Sequence, residues 1–248
     1  METSILIFIL VGFIAQMIDG AMGMAYGVSS NTFLLSLGIP PAAASASVHM
    51  AEVVTTGVSG ISHWRLGNVN WKLVRSLLIP GVIGGMTGAY LLSSFEADFI
   101  KPYVSAYLMI MGFVILAKAF RNGGEKEERT HRVSLLGLAG GFFDSIGGGG
   151  WGPIVTTTLV ARGNSPRFTI GSVNFSEFFV TFSESVVFVL TLSLANYWQI
   201  ILGLLIGGAV AAPLAALVAR RLPVRALMIL VGTLIIILSI RTIYMALV

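Results

Sequence analysis

The chain has 248 residues, 56% of them hydrophobic and 10% charged, and its mean hydropathy is +0.90. Soluble domains carry about 25% charged residues, so this composition excludes an ordinary water-soluble enzyme or binding module. The formal charge of +4 comes from basic residues spread thinly between apolar stretches, which excludes a nucleic-acid partner, and the absence of cysteine excludes disulfides, thiolate nucleophiles and cysteine-held clusters.

In chain order the apolar segments run over 4–18, 24–38, 42–62, 70–93 and 99–119; a charged linker, RNGGEKEERTHR, occupies 121–132; and further segments follow at 133–143, 150–162, 167–195, 198–220 and 224–247. Hydrocarbon offers backbone groups no water, so such segments must be helices or a closed barrel, and their lengths without period-two alternation select helices. The opening METSILIFIL carries Glu2 and no basic n-region, so the first helix is expected to be retained. The reading is an all-α polytopic membrane protein without a cofactor. Residues 1–120 form a first transmembrane repeat, 121–132 a charged cytoplasmic linker and 133–248 a second repeat.

The repeat rests on an ungapped match of 19–56 to 144–181 at a constant offset of 125 residues. Identities include Asp19 with Asp144, Gly23 with Gly148, Gly27 with Gly152, Pro41 with Pro166, Glu52 with Glu177 and Thr56 with Thr181, and Tyr26 faces Trp151 as an aromatic pair. Coincident Asp, Pro and Glu are not an ordinary product of membrane composition, and repeats are sought before any other feature. Five segments per copy is an odd number, so the second copy enters from the opposite side and the two are inverted. With the N-terminus outside, thirteen of the fifteen basic residues fall in inner loops, among them Arg65, Lys72, Arg75, Arg162, Arg167, Arg220 and Arg221, and only Lys101 and Arg241 fall outside. This is the positive-inside pattern and predicts both termini outside in a cell membrane of bacterial type.

The first two segments of each copy are too short for the roughly 20 residues that a span requires. Each pair is either a helix-break-helix hairpin or two short tilted spans, giving 8 to 10 membrane segments. The breaks carry Asp19-Gly-Ala-Met-Gly in one copy and Asp144-Ser-Ile-Gly-Gly-Gly-Gly in the other. Paired Gly-interrupted segments in inverted halves point to a transporter's substrate site, and the helix starts that follow would aim free amides at an anion. Gly148, Gly149 and Gly150 either form such a tip or allow close helix packing. Asp19 and Asp144 either cap the following helices or bind ligand, and Trp151 and Tyr26 are packing residues or gates.

The third segment of each copy holds a polar stripe. Glu52 and Glu177 each lie eleven residues beyond a proline suited to a helix's first turn, about 16 Å along the axis and near the middle of a core of roughly 30 Å. His49 and Asn174 precede them by three residues, Thr56 and Thr181 follow by four, and Glu184 lies seven beyond Glu177. Ionisable groups at such depth are functional candidates, although Glu52 could equally be a structural partner of His49, and Glu177 of neighbouring hydroxyls. With no Lys or Arg expected there, an anion would rely on helix starts and on Ser29, Ser30, Asn31, His49, Thr156, Thr157 and Asn174. Burial favours the protonated form of a glutamate, which donates a hydrogen bond, so Glu52, Glu177 and Glu184 are the expected proton-coupling residues.

The run Gly137-Leu-Ala-Gly-Gly-Phe-Phe-Asp-Ser-Ile-Gly-Gly-Gly-Gly-Trp-Gly-Pro153, with Thr156 to Thr158 and Gly171-Ser-Val-Asn-Phe-Ser-Glu177, resembles the TauE/SafE family of sulfite-exporter-like permeases. The first copy departs from the glycine-rich form, with Met22, Met24 and Ala25 at the matching positions and Val28 where the second copy has Pro153. The resemblance implies secondary transport of small anions, sulfur oxyanions or organosulfonates such as sulfite. The expected partners are that anionic substrate, the lipid bilayer, protons and a second copy of the chain in a homodimer. The competing classes are a non-transporting membrane scaffold or signalling protein, and an intramembrane metal enzyme built on His49 and Glu52.

Overall fold

A computed structural model describes residues 5–22, 24–120, 132–218 and 224–247. Most of the expected linker lies outside the described residues, as do Gly23, Arg220 and Arg221. The first half supplies α1 (Ile5–Met22), α2 (Tyr26–Ser36), α3 (Pro41–Arg65), α4 (Trp71–Ser94) and α5 (Ala97–Ala119). The second supplies α6 (Val133–Gly147), a π-helical turn (Trp151–Thr156) continuing into α7 (Thr157–Ala161), then α8 (Pro166–Thr191), α9 (Trp198–Val218) and α10 (Val224–Leu247). No strand occurs among the described residues.

Five stretches are long and apolar enough to cross a membrane: Trp71–Ser94, Ala97–Ala119, Arg167–Thr191, Leu194–Ala212 and Met228–Ala246. The protein is therefore a polytopic helical membrane protein. The 25-residue α3 matches these in length, yet it is not among them because it carries too many polar side chains. Ser45, Ser47, His49, Glu52 and Thr56 are all buried. Neighbouring helices, rather than lipid, cover that polar stripe.

The sequence expectation placed both aspartates beyond the ends of their helices. Instead α1 runs to Met22 and α6 to Gly147, so Asp19 and Asp144 occupy last turns. Each carboxylate reaches forward across the break while its own backbone remains helical. The proline-led starts of α3 and α8 are where the fixed proline φ suits a first turn. Asn70 caps α4 by accepting from Lys72 N at 3.0 Å and Leu73 N at 3.3 Å.

The halves interlock through exchanged contacts. α1 packs on α9 and α6 packs on α4, while α3 pairs with α8 and α5 with α10. Glycines set the closeness of the first two pairs: a Cβ on Gly12 would meet Leu204 O at 2.5 Å, and one on Gly137 would meet Leu77 O at 2.9 Å. In membranes such small-residue contacts replace the hydrophobic drive that water supplies elsewhere. α3 and α8 run antiparallel, with Gly60 against Phe175 and the Asn68 backbone against Gly171. One end of the bundle thus gathers the end of α3 and the starts of α4 and α8, where Arg167 Nε donates to Asn68 Oδ1 at 2.6 Å and Asn70 N donates to Ser172 Oγ at 2.8 Å. The opposite end joins Thr191 to Ser93 at 3.0 Å and Arg241 to Ser36 O at 2.9 Å.

Candidate functional site

The site begins with the two breaks. Asp19 Oδ1 accepts from Ala25 N at 2.7 Å and Tyr26 N at 3.2 Å, the first amides of the chain entering α2. Asp144 Oδ1 accepts in the same way from Gly150 N and from Trp151 N at 2.8 Å. Both aspartates therefore cap the element after their own helix, and each places a negative charge at the positive end of a helix dipole. The second break needs glycine: Gly148 and Gly149 have φ of +62° and +153°. It also needs contact with the first, since a Cβ on Gly27 would meet Gly148 O at 2.5 Å and Gly149 Cα at 2.7 Å. The backbones of the two breaks lie directly on one another.

Several polar and aromatic residues around the breaks make hydrogen bonds within the protein. Asn31 Nδ2 donates to Gly147 O, and Ser45 Oγ donates to Ser145 O, tying α2 and α3 to the end of α6. Trp151 is fully buried, its Nε1 donating to Val173 O at 3.2 Å and its ring lying against Gly81 and Gly140. Thr157 Oγ1 reaches Met24 Sδ at 3.6 Å. Thr56 and Thr181 fold their hydroxyls back onto Glu52 O and Glu177 O of their own helices.

A cavity of about 630 Å³ lies against the crossing. Asp19, Gly27, Val28, Glu52, Asp144, Gly149, Gly150, Asn174 and Glu177 line it, whereas Ser29, Ser30, Asn31, His49, Gly148, Trp151, Thr156, Thr157 and Glu184 do not. From there it follows α3 past Thr55 and Ser59 to Ser62, His63 and Leu66, the end of the bundle that holds Arg65 and Arg167. Its deep wall contains Glu52, 6% exposed, with Oε2 lacking a hydrogen-bond partner among the described residues. Across it Asn174 Nδ2 donates to Ser59 Oγ at 2.8 Å. Lys118, behind the wall, directs Nζ to Met24 Sδ at 3.2 Å without lining the cavity.

His49 turns away from Glu52. Its Nε2 lies 2.7 Å from Glu184 Oε2 and 3.6 Å from Asp144 Oδ2, and its Nδ1 is 2.8 Å from Ser45 O. All three charged partners are essentially without solvent exposure. Of the two readings of Glu52, the structural partnership with His49 is not formed as a hydrogen bond or ion pair among the described residues, because His49 meets carboxylates from α6 and α8 instead. His49, Asp144 and Glu184 are the one group of three possible metal ligands among the described residues, within 4.8 Å of one another. Ligands about 2.0–2.1 Å from a tetrahedral cation stand about 3.3 Å apart. The 2.7 Å contact is instead the spacing of an ion pair in direct contact.

Sequence reasoning missed Gln16, Tyr107 and Ser59. Gln16 lines the cavity one helical turn before Asp19, and Ser59 continues the spacing of Glu52 and Thr55 along α3, so both carried a periodic signal. Tyr107, whose hydroxyl is buried without a hydrogen-bond partner among the described residues, carried none. Its ring lies beside Gly147 and its hydroxyl beside Gly150, a contact between α5 and the second break.

A family model described as sulfite exporter TauE/SafE matches residues 8–242, which include both breaks, both capping aspartates and the whole cavity. The chain belongs to the TauE/SafE family. Two proteins of Bacillus subtilis (strain 168) are similar to this TauE/SafE chain. The probable membrane transporter protein YtnM is 42% identical over 246 residues, covering 96% of this chain and 82% of that protein. The probable membrane transporter protein YdhB is 28% identical over 178 residues, covering 68% and 70%. No solved structure matches. The protein is thus a multi-pass membrane protein of a transporter family.

Proposed function

We propose that the protein is a secondary transporter that moves small anions, sulfur oxyanions or organosulfonates such as sulfite, by alternating access around the crossing of its two breaks. The observation that carries this reading is the cavity, which brings first-turn amides of α2, both capping aspartates and a glutamate from each half to one place. The exchanged packing of α1 on α9 and α6 on α4 is what two inverted repeats would produce. The cavity mouth lies at the Arg65 and Arg167 end, which the distribution of basic residues assigns to the cytoplasm, so this conformation faces inward with both termini outside.

Glu52 and Glu177 carry the protons that let an anion enter a wall of carboxylates. Glu184 holds its charge against His49 and links that pair, through Asp144, to the second break. In proteoliposomes with labelled sulfite, thiosulfate and simple sulfonates, the wild-type chain is expected to catalyse counterflow and to respond to an imposed pH gradient. Glu52→Gln and Glu177→Gln are expected to remove that response. Gradient-driven uptake that is equal in wild type and both variants would rule the coupling out, and absence of counterflow for every anion would rule out the transporter reading.

A further inference from the structure

Four carboxylates line the cavity, Asp19, Asp144, Glu52 and Glu177, and no described lining residue is a Lys or Arg. Two of the four are already compensated. Asp19 and Asp144 each give one oxygen to a pair of backbone amides, and Asp144 turns its other oxygen toward His49 Nε2 at 3.6 Å. The two glutamates are not. Glu52 Oε2 is buried without a hydrogen-bond partner, and the Glu177 carboxylate has no hydrogen bond or ion pair among the described residues. Unpaired carboxylates in such a place are costly unless a proton or a cation answers them.

The same wall offers an anion site. Gly27 occupies the first turn of the eleven-residue α2, where amides have no partner within the helix, while the neighbouring Val28 amide is covered by the Gly149 backbone. Glu52 Oε1 lies 3.0 Å from where a Gly27 Cβ would stand. An amide terminus that attracts negative charge therefore adjoins a carboxylate that repels it. A simple oxyanion satisfies only the first. A molecule carrying an acid group and an ammonium group a few bonds apart satisfies both, because an ammonium offers three donors and no acceptor.

We infer that the cavity takes small ammonium-bearing acids, with the acid group beside the Gly27 amide at the start of α2 and the ammonium between Glu52 and Glu177. Short aminosulfonates are the sulfur-containing members of that class. The inference rests on the transporter reading above and narrows its substrate. The ligand's own ammonium replaces the protons that a simple anion requires on the two glutamates, and a cavity of about 630 Å³ has room for such a molecule and its water.

The test compares 2-aminoethanesulfonate with ethanesulfonate, which has the same sulfonate and two-carbon stem without the ammonium. Binding to the purified full chain is measured by titration calorimetry at pH 7.5, alongside counterflow of both compounds and of sulfite in proteoliposomes. The aminosulfonate is expected to bind about tenfold or more tightly, the worth of one charge-assisted hydrogen bond. Glu52→Gln and Glu177→Gln, each checked for retained helicity and melting behaviour, are expected to bring the two affinities within about threefold. Equal affinities in the wild type, or a preference that survives both substitutions, would overturn the inference. If ethanesulfonate or sulfite is carried and the aminosulfonate has no advantage, this inference fails and the transporter reading stands. If no compound of the set is bound or carried, both fail.

Discussion

Asp144→Ala is expected to destabilise the protein by about 3–5 kcal/mol, the range for breaking a buried charge network, and to abolish transport. The reason is that one side chain does two jobs at 2% exposure. Its Oδ1 holds Gly150 N and Trp151 N, and its Oδ2 shares His49 with Glu184. Removing it leaves two buried amides without their acceptor and leaves Glu184 alone with the imidazole. Asp19→Ala is the comparison. Asp19 performs the same capping on α2, but it is partly exposed and has no ion pair among the described residues, so its loss is expected to cost only about 1–2 kcal/mol. Thermal melting of both variants in detergent checks the pair. Equal shifts would mean that the link to His49 contributes nothing.

The second large effect is expected at Gly149→Ala. At φ +153° an L side chain is strained, and a Cβ there would run into Val28 N and Gly27 C, the backbone of the opposite break. Neither obstacle is the flexible end of a side chain, so one backbone would have to move. A cost of about 2–4 kcal/mol combines that strain with overpacking, and counterflow is expected to fall below detection. Gly38→Ala supplies the control: its φ of +87° is also unfavourable, but a Cβ there meets nothing within 4 Å. It is expected to retain transport. A Gly149→Ala protein that melts and transports like Gly38→Ala would show that the crossing of the breaks is not required.

Much of this arrangement was legible in the sequence, for physical reasons that can be named. Glycine clusters inside apolar runs break helices wherever they occur, so the break at 148–150 was visible, as was its partner once the repeat aligned Asp19 with Asp144. The spacing of Glu52 from Pro41 and of Glu177 from Pro166 set both glutamates at the same distance along their helices because a helix rises uniformly, and the structure has both lining the cavity. Periodicity ran out where the chain pairs with itself at long range. Nothing in the order of residues joins His49 to Glu184 or Tyr107 to Gly150, since those contacts depend on how α3, α8, α5 and α6 cross. The helix ends were misjudged by about one turn because an aspartate that caps forward need not leave its own helix. The placement of Asn31 against Gly147 O and of Trp151 against Val173 O is a packing outcome that residue type does not encode.

The central claim, that the substrate sits in this cavity and enters it from the end bearing Arg65 and Arg167, can be tested with single cysteines, because the chain contains none of its own. Ser62 lies at the mouth and Thr55 deeper along the wall. With a membrane-impermeant thiol reagent, Ser62→Cys is expected to react from the cytoplasmic side only, in inside-out vesicles. Thr55→Cys is expected to react more slowly when a transported anion is present. Labelling of Ser62→Cys from the outer face, or of Thr55→Cys at a rate that substrate does not change, would contradict the account.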